Sequence, residues 1–316
     1  MLRRLLAPLA LGLVCAVATP AGAAPIDPPL AVPTSSLAAA LSCTGPAQST
    51  HQPVLLVHGT GATPGENWGS NYALVLPQLG YDVCTVALPG RALGDIQVSA
   101  EYVVYAIRTM YTTYNKKVDI LGHSQGPLEP RWAIKWWPSL RSQVDHVVMM
   151  AAPNHGTAVA SAALACSDAC LQMRPGSQFL AALNAGDETP DGPSYVSIYS
   201  LTDELVQPAA PQATSALVGA QNVLMQDVCP GRVVEHVQFA FDAAVYGVVM
   251  DAFTHPGSPV DLTRVDRSVC NQGSFPGVDG YAGFQQAASD WYQGWPSPSY
   301  STNEPTLACY VSGSCP

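Results

Sequence analysis

Apolar and polar positions along the chain follow a rhythm of short continuous apolar runs separated by longer helix-period stretches. Residues 53–57, Pro-Val-Leu-Leu-Val, carry no polar side chain, as expected of a strand buried on both faces. Residues 81–87 predict a second strand through Val83, Thr85 and Val86. Further strands are predicted at 118–121, 144–150, 195–200 and 222–228. Between them Tyr102, Val103, Ala106, Ile107 and Met110 recur three and four apart, predicting a helix over 99–114 with Ser99 as its cap. A second helix is expected over 127–137, beginning at Pro127 or at Pro130, because proline suits a first helical turn. A long apolar helix is expected over 237–253. Strands alternating with helices imply an α/β protein with a mostly parallel central sheet and helices on both faces. Residues 24–40, rich in Pro and Ala, read as extended. The segment after about residue 256, rich in Gly, Pro and Ser, reads as a covering loop region.

The first residues follow another pattern. Arg3 and Arg4 precede an apolar stretch from 5 to 19, and Ala21-Gly22-Ala23 is a small-residue cleavage site. This predicts a secretory signal peptide over 1–23, leaving 24–316 as one domain. The apolar stretch is short for a membrane span. A secreted location implies an oxidising one. Eight cysteines lie beyond the leader: Cys43, Cys84, Cys166, Cys170, Cys229, Cys270, Cys309 and Cys315. An even number suggests four disulfides, for which the sequence alone allows 105 connectivities. The close pair Cys166 and Cys170 has no second pair with histidines at zinc-site spacing, so no metal is expected.

Composition narrows the function. Of 316 residues only 11% are charged, with 13 Lys+Arg against 23 Asp+Glu and a formal net charge of −10. A chain this apolar is not disordered. An acidic chain without long Lys or Arg runs beyond position 4 is not built to track nucleic-acid phosphates, so no nucleic-acid partner is expected.

One motif carries chemistry. Gly122-His123-Ser124-Gln125-Gly126 matches the G-x-S-x-G nucleophile elbow, and it lies between a predicted strand and a predicted helix, as the elbow requires. The glycines leave room for a sharp turn that projects the Ser124 hydroxyl. A serine of this kind needs a base, and in this architecture the acid and the histidine follow it in order. His236 precedes the long helix in a loop, where such a histidine belongs. His255, at the end of that helix, is the alternative. Asp203 follows a strand by a short turn at the sheet edge where sites gather, and Glu204 beside it could also serve. An oxyanion hole needs at least two donors. Gln125 supplies one backbone N–H, and the Gly-rich loop 58–65 supplies the second. That loop is not a phosphate-binding P-loop, because no Gly-Lys-Ser/Thr follows it.

With these residues in view, the chain resembles the Candida antarctica lipase B-like lipase family and its bacterial relatives, within the α/β-hydrolase superfamily. The resemblance rests on Leu-Leu-Val-His-Gly-Thr-Gly at 55–61, Gln-Leu-Gly-Tyr at 78–81, 97–102, the Ser124-Gln125-Gly126 elbow and 137–141. It continues through Ala-Ala-Pro at 151–153 with Gly156-Thr157, 200–208 and the segment ending at His236. It implies an α/β-hydrolase fold, with Ser124 as nucleophile, Asp203 as acid and His236 as base. It also implies Thr60, through backbone and hydroxyl, and Gln125 as oxyanion donors. Disulfides Cys43–Cys84, Cys229–Cys270 and Cys309–Cys315 are implied too, leaving Cys166 and Cys170 to pair locally. His123 stands where the yeast enzyme has a tryptophan shaping its alcohol pocket. Asn154 replaces an acidic residue near the acyl pocket, and the segment 158–193 differs.

The expectation is a secreted serine ester hydrolase, a lipase or carboxylesterase, acting on triacylglycerols or other carboxylic esters without a cofactor. The chain is expected to be a monomer that meets a lipid–water interface transiently. A polyester hydrolase or acyltransferase with the same triad is the nearby alternative. A non-catalytic secreted binding module is the rival from another class.

Overall fold

A computed structural model describes residues 27–47, 49–163, 166–294, 300–313 and 315. The signal-peptide reading at 1–23 lies outside these residues. Seven strands form one sheet: β1 (Leu41–Thr44), β2 (Val54–Val57), β3 (Val83–Val86), β4 (Val118–His123), β5 (Val144–Met150), β6 (Ser194–Tyr199) and β7 (Gln221–Leu224). Their order is β1-β3-β2-β4-β5-β6-β7; β1 is antiparallel to β3 and every other pair is parallel. This is the α/β-hydrolase architecture, with helices on both faces of the sheet.

The side-chain period of two divides each strand between two cores. Leu55 and Val57 of β2 pack on one face with Val103, Ile107 and Trp132; Val54 and Leu56 pack on the other with Tyr72, Val245 and Phe253. All four β2 side chains are fully buried, each contributing about 1.5–3 kcal/mol of transfer free energy. The helices of the first face are α4 (Ile96–Tyr114) and α5 (Leu128–Trp136), preceded in the chain by α1 (Thr34–Ala39), α2 (Pro64–Trp68) and α3 (Tyr72–Gln78). The second face is covered by α3 and α6 (Ala243–Thr254). A further helix, α7 (Gly280–Gly294), lies against α2 and the 3₁₀ turn Val237–Ala240. No described helix is long and apolar enough to cross a membrane.

Several boundaries differ from the sequence reading. Asp95, not Ser99, caps α4, accepting from the Gln97 N–H at 2.9 Å; Ser99 is buried inside the first turn. Pro130 sits third in α5, where its missing N–H would be unpaired anyway. Residues 222–228 are not all strand: β7 ends at Leu224 and a helical turn, Met225–Val228, follows. The predicted helix over 237–253 is broken, because Asp242 caps a fresh start by accepting from Ala244 and Val245 N–H. Part of 24–40 is helical (α1), and the region after 256 includes α7 rather than loop alone.

The structure pairs Cys43 with Cys84, Cys166 with Cys170, Cys229 with Cys270 and Cys309 with Cys315. The first of these ties β1 to β3 at directly paired positions. Four disulfides suit an oxidising compartment.

The topology positions the site. The chain leaves β2, crosses to β3, and returns past β2 to β4. Strand order therefore reverses beside β2, and the C-terminal ends of β2 and β4 open a crevice at this switch point.

Candidate active site

The loop after β2 and the turn after β4 meet in that crevice. Ser124 directly follows β4 with φ of 59°, in the left-handed region that only a tightly held turn imposes on a non-glycine residue. Its N–H donates to the Met150 carbonyl at 2.9 Å. Gly126 lets the turn press on β2, since a Cβ there would lie 2.2 Å from the Val57 carbonyl oxygen. Gly59 lets the β2 loop press on the serine, since its Cβ would lie 2.8 Å from Ser124 Cβ.

Asp203 and His236 reach the same point from the loops after β6 and β7. The Ser124 Oγ–H donates to His236 Nε2 at 2.8 Å. His236 Nδ1–H faces both Asp203 oxygens, at 3.0 and 3.1 Å. Asp203 Oδ1 also accepts from Leu205 and Val206 N–H, which fixes the carboxylate. Glu204 takes a different position, accepting the His236 backbone N–H at 2.9 Å. His255 is not in this group. Its Nδ1 donates to the Asp251 carbonyl at the end of α6.

Thr60 and Gln125 stand on either side of the serine. Among the described residues their backbone N–H groups have no hydrogen-bond partner, so both are available to an oxyanion. The Thr60 hydroxyl donates to Gln125 Oε1 at 2.7 Å. The loop that carries Thr60 is held from several directions. Asn67 Oδ1 accepts the Gly59 N–H at 2.9 Å. Arg91 binds Glu66 through two nitrogens and donates from Nε to the Gly61 carbonyl. His58 Nδ1–H donates to the Gly59 carbonyl, while its Nε2 accepts the Leu88 N–H at 3.0 Å. Burial pushes the His58 ring down to about 4, so it stays neutral and keeps both bonds.

His123 is buried rather than set in an open pocket, edge-on to Trp68. Its Nε2–H donates to the carbonyl of His236 at 2.9 Å, which tethers the main chain of the candidate base. Burial, with the neighbouring His236, holds this ring down to about 3, so it adds no charge beside the triad. Asn154 is fully buried, donating to the Ser215 carbonyl and accepting from Arg131. Neither the Arg91 clasp nor the tether through His123 was visible in sequence, because each acts on a segment distant along the chain.

One further group of ligand-type atoms is brought together among the described residues: Asp119, Asp145 and His146. It lies at the opposite ends of β4 and β5. His146 bridges the Asp119 carboxyl to the Ser258 carbonyl, anchoring the loop after α6. Burial raises Asp119 to about 6.

A serine, an imidazole and a carboxyl group in hydrogen-bonded line, next to two N–H groups without a partner among the described residues, can perform nucleophilic acyl transfer. Comparison with known proteins places the chain in a family. The family model described as Lipase (class 2) matches residues 51–240. The chain belongs to the class 2 lipases. Within that family it is similar to lipase B of Pseudozyma antarctica, 40% identical over 220 residues, which are 66% of this chain and 64% of that protein. The match thus spans just under two thirds of the relative's length. It is also similar to the crystal structure of Aspergillus fumigatus lipase B, with a TM-score of 0.82 and 30% identity over 91% of this chain and 74% of that one. This is the family to which the sequence resemblance pointed. The matched range 51–240 includes the loop 58–65, the elbow, Asp203 and His236.

Proposed function

We propose that the protein is a serine hydrolase of carboxylic esters, acting on triacylglycerols or related esters through an acyl-enzyme. The observation that supports this best is the unbroken line from Ser124 Oγ to His236 to Asp203, ending beside the free N–H groups of Thr60 and Gln125. In the first half-reaction His236 Nε2 takes the Ser124 proton as the oxygen attacks the ester carbonyl. Asp203 holds the ring by its Nδ1–H and stabilises the imidazolium. Thr60 and Gln125 hold the negative oxygen of the tetrahedral intermediate. His236 then gives its proton to the leaving alcohol. Water enters, gives a proton to His236 and attacks the acyl carbon, and the serine is released with its proton restored.

The lipid side of this reading has its own support. Leu201 and Leu205 flank Asp203 and are exposed, and Trp291 on α7, half exposed, donates to the Thr60 carbonyl at 3.2 Å. Apolar side chains around the site entrance suit contact with a lipid–water interface. Secretion as a monomer fits the same reading, with the leader at 1–23 removed.

The test compares wild type with Ser124→Ala on p-nitrophenyl esters from acetyl to palmitoyl and on emulsified triglyceride. Loss of at least about a thousandfold in kcat is expected. Full turnover by the variant would overturn the mechanism. Turnover confined to short soluble esters would remove triacylglycerols from the proposed substrates.

A further inference from the structure

Behind the candidate oxyanion site run three side chains that the reaction scheme leaves unused in part. Thr60 Oγ1 lies 2.7 Å from Gln125 Oε1, and Gln125 Nε2 lies 2.8 Å from Glu129 Oε1. Gln125 and Glu129 are fully buried. Glu129 is the second residue of α5, so the turn that carries the serine also carries this carboxyl. Its other oxygen, Oε2, is buried without a hydrogen-bond partner among the described residues. A carboxylate there would be a buried charge with one oxygen unsatisfied, which is strongly unfavourable. Burial accordingly pushes the Glu129 carboxyl up to about 8, against the Gln125 hydrogen bond and its own backbone N–H, which favour the anion.

The state of Glu129 decides which way the line donates. The oxygen and nitrogen of a glutamine amide are nearly the same shape, so either orientation fits the space. Facing a carboxylate, Gln125 must turn Nε2 to Glu129 and Oε1 to Thr60. The Thr60 hydroxyl proton is then drawn away from the reacting carbonyl, as in the orientation seen here. Facing a carboxylic acid, the amide can turn over. The Glu129 O–H then donates to Gln125 Oε1, Gln125 Nε2–H donates to Thr60 Oγ1, and the Thr60 proton is free to point at the oxyanion.

We propose that Glu129, as a neutral acid, is a positioning residue that turns the Thr60 hydroxyl toward the oxyanion through the Gln125 amide. The proposal rests on the ester-hydrolase reading above. No covalent bond changes in the relay; two hydrogen bonds exchange donor and acceptor, and the freed Thr60 hydroxyl makes a third to the oxyanion. Glu129 touches neither substrate nor nucleophile.

The experiment measures kcat and KM on p-nitrophenyl butyrate for Glu129→Met, Glu129→Gln, Gln125→Met, Thr60→Val and the double variant Thr60→Val/Glu129→Met, with Ser124→Ala alongside. Thr60→Val is expected to lose about 100-fold in kcat, as for removal of one oxyanion donor. Glu129→Met and Gln125→Met, which keeps its backbone N–H, should each lose about tenfold in kcat with KM within about twofold. Glu129→Gln, whose amide N–H can donate as the acid does, should stay within about threefold of wild type. The double variant should be no slower than Thr60→Val alone, because the relay has nothing left to turn. The relay is overturned if Glu129→Gln falls as far as Glu129→Met, if the two losses multiply, or if the change appears in KM alone. Should Glu129→Met not fold, Gln125→Met and Glu129→Gln decide the matter by the same criteria. A fully active Ser124→Ala would bring down the ester-hydrolase reading and the relay with it. An inactive Ser124→Ala with wild-type behaviour in the relay variants would bring down the relay alone.

Discussion

Adding one methyl group at Gly126 should damage both stability and turnover. The Ala Cβ would lie 2.2 Å from the Val57 carbonyl oxygen and 2.9 Å from the His58 carbonyl oxygen, while ordinary contact begins at 3.4 Å. The elbow and the end of β2 must therefore part by roughly 1 Å. Neither side can yield cheaply. Val57 pairs with both Val86 and Gly122 in the sheet, and the elbow begins α5. Overpacking typically costs about 1–3 kcal/mol, and a backbone-on-backbone clash belongs at the upper end. At about 2–4 °C per kcal/mol, Tm should fall by roughly 6 °C or more. The same displacement separates Ser124 and the Gln125 N–H from Thr60, and a misplacement of about 1 Å can lower kcat by about 100-fold. Thermal unfolding followed by near-UV circular dichroism, together with kcat on p-nitrophenyl butyrate, measures both effects. Gly65→Ala is the control, since a Cβ there meets nothing within 4 Å; it should be neutral or stabilise by about 0.4–1 kcal/mol. A Gly126→Ala protein that melts within about 1 °C of wild type, with kcat within about twofold, would refute the reasoning.

Other outcomes follow from the same contacts. Asp203→Asn should lower kcat by about 10⁴-fold with melting little changed, because an amide neither holds the His236 ring in the required tautomer nor stabilises its cation; His255→Ala should stay within about twofold, and a large loss there in an ester assay would make His255 the base. Replacing Cys43 and Cys84 by Ala opens a loop with a sequence separation of 41 and should cost about 4 kcal/mol in urea unfolding. The same change at Cys309 and Cys315, with a separation of 6, should cost about 2 kcal/mol, so an equal or larger loss there would count against the loop-entropy account. Acid should destabilise the fold through His58. Its ring is depressed from 6.5 to about 4, so the unfolded chain takes up the proton first. The stability it contributes is complete above pH 6.5 and is lost as pH falls toward 4, by about 3 kcal/mol. Unfolding free energies that stay flat across that window would contradict the neutral, doubly bonded ring.

How far the chain could be read from its sequence depended on the range of the forces involved. β2, β4 and β5 were legible because a strand buried on both faces must be apolar throughout, and 54–57, 120–121 and 147–150 show it. The elbow was legible because its turn admits only small residues at 122 and 126. Boundaries decided by side-chain hydrogen bonds were less so. Asp95 and Ser99 are both competent caps, and only packing, which buries Ser99, distinguishes them. Position in a loop favoured His236 in the sequence, with His255 at a helix end kept as the alternative. The fold separates them by placing one ring between Ser124 and Asp203 and the other at a helix end.

By itself, then, the sequence determined the α/β rhythm, the position of the candidate nucleophile and the order of its proposed partners, because these follow from local periodicity and local backbone demands. Tertiary structure alone decided what holds the loop that carries Thr60 and what sits behind it. Asn67, Arg91, His123 and Glu129 look in sequence like ordinary polar residues. Asn67, Arg91 and His123 gain their roles when the fold brings a backbone group of another segment within hydrogen-bond reach, and Glu129 gains its role when burial removes water from its carboxyl.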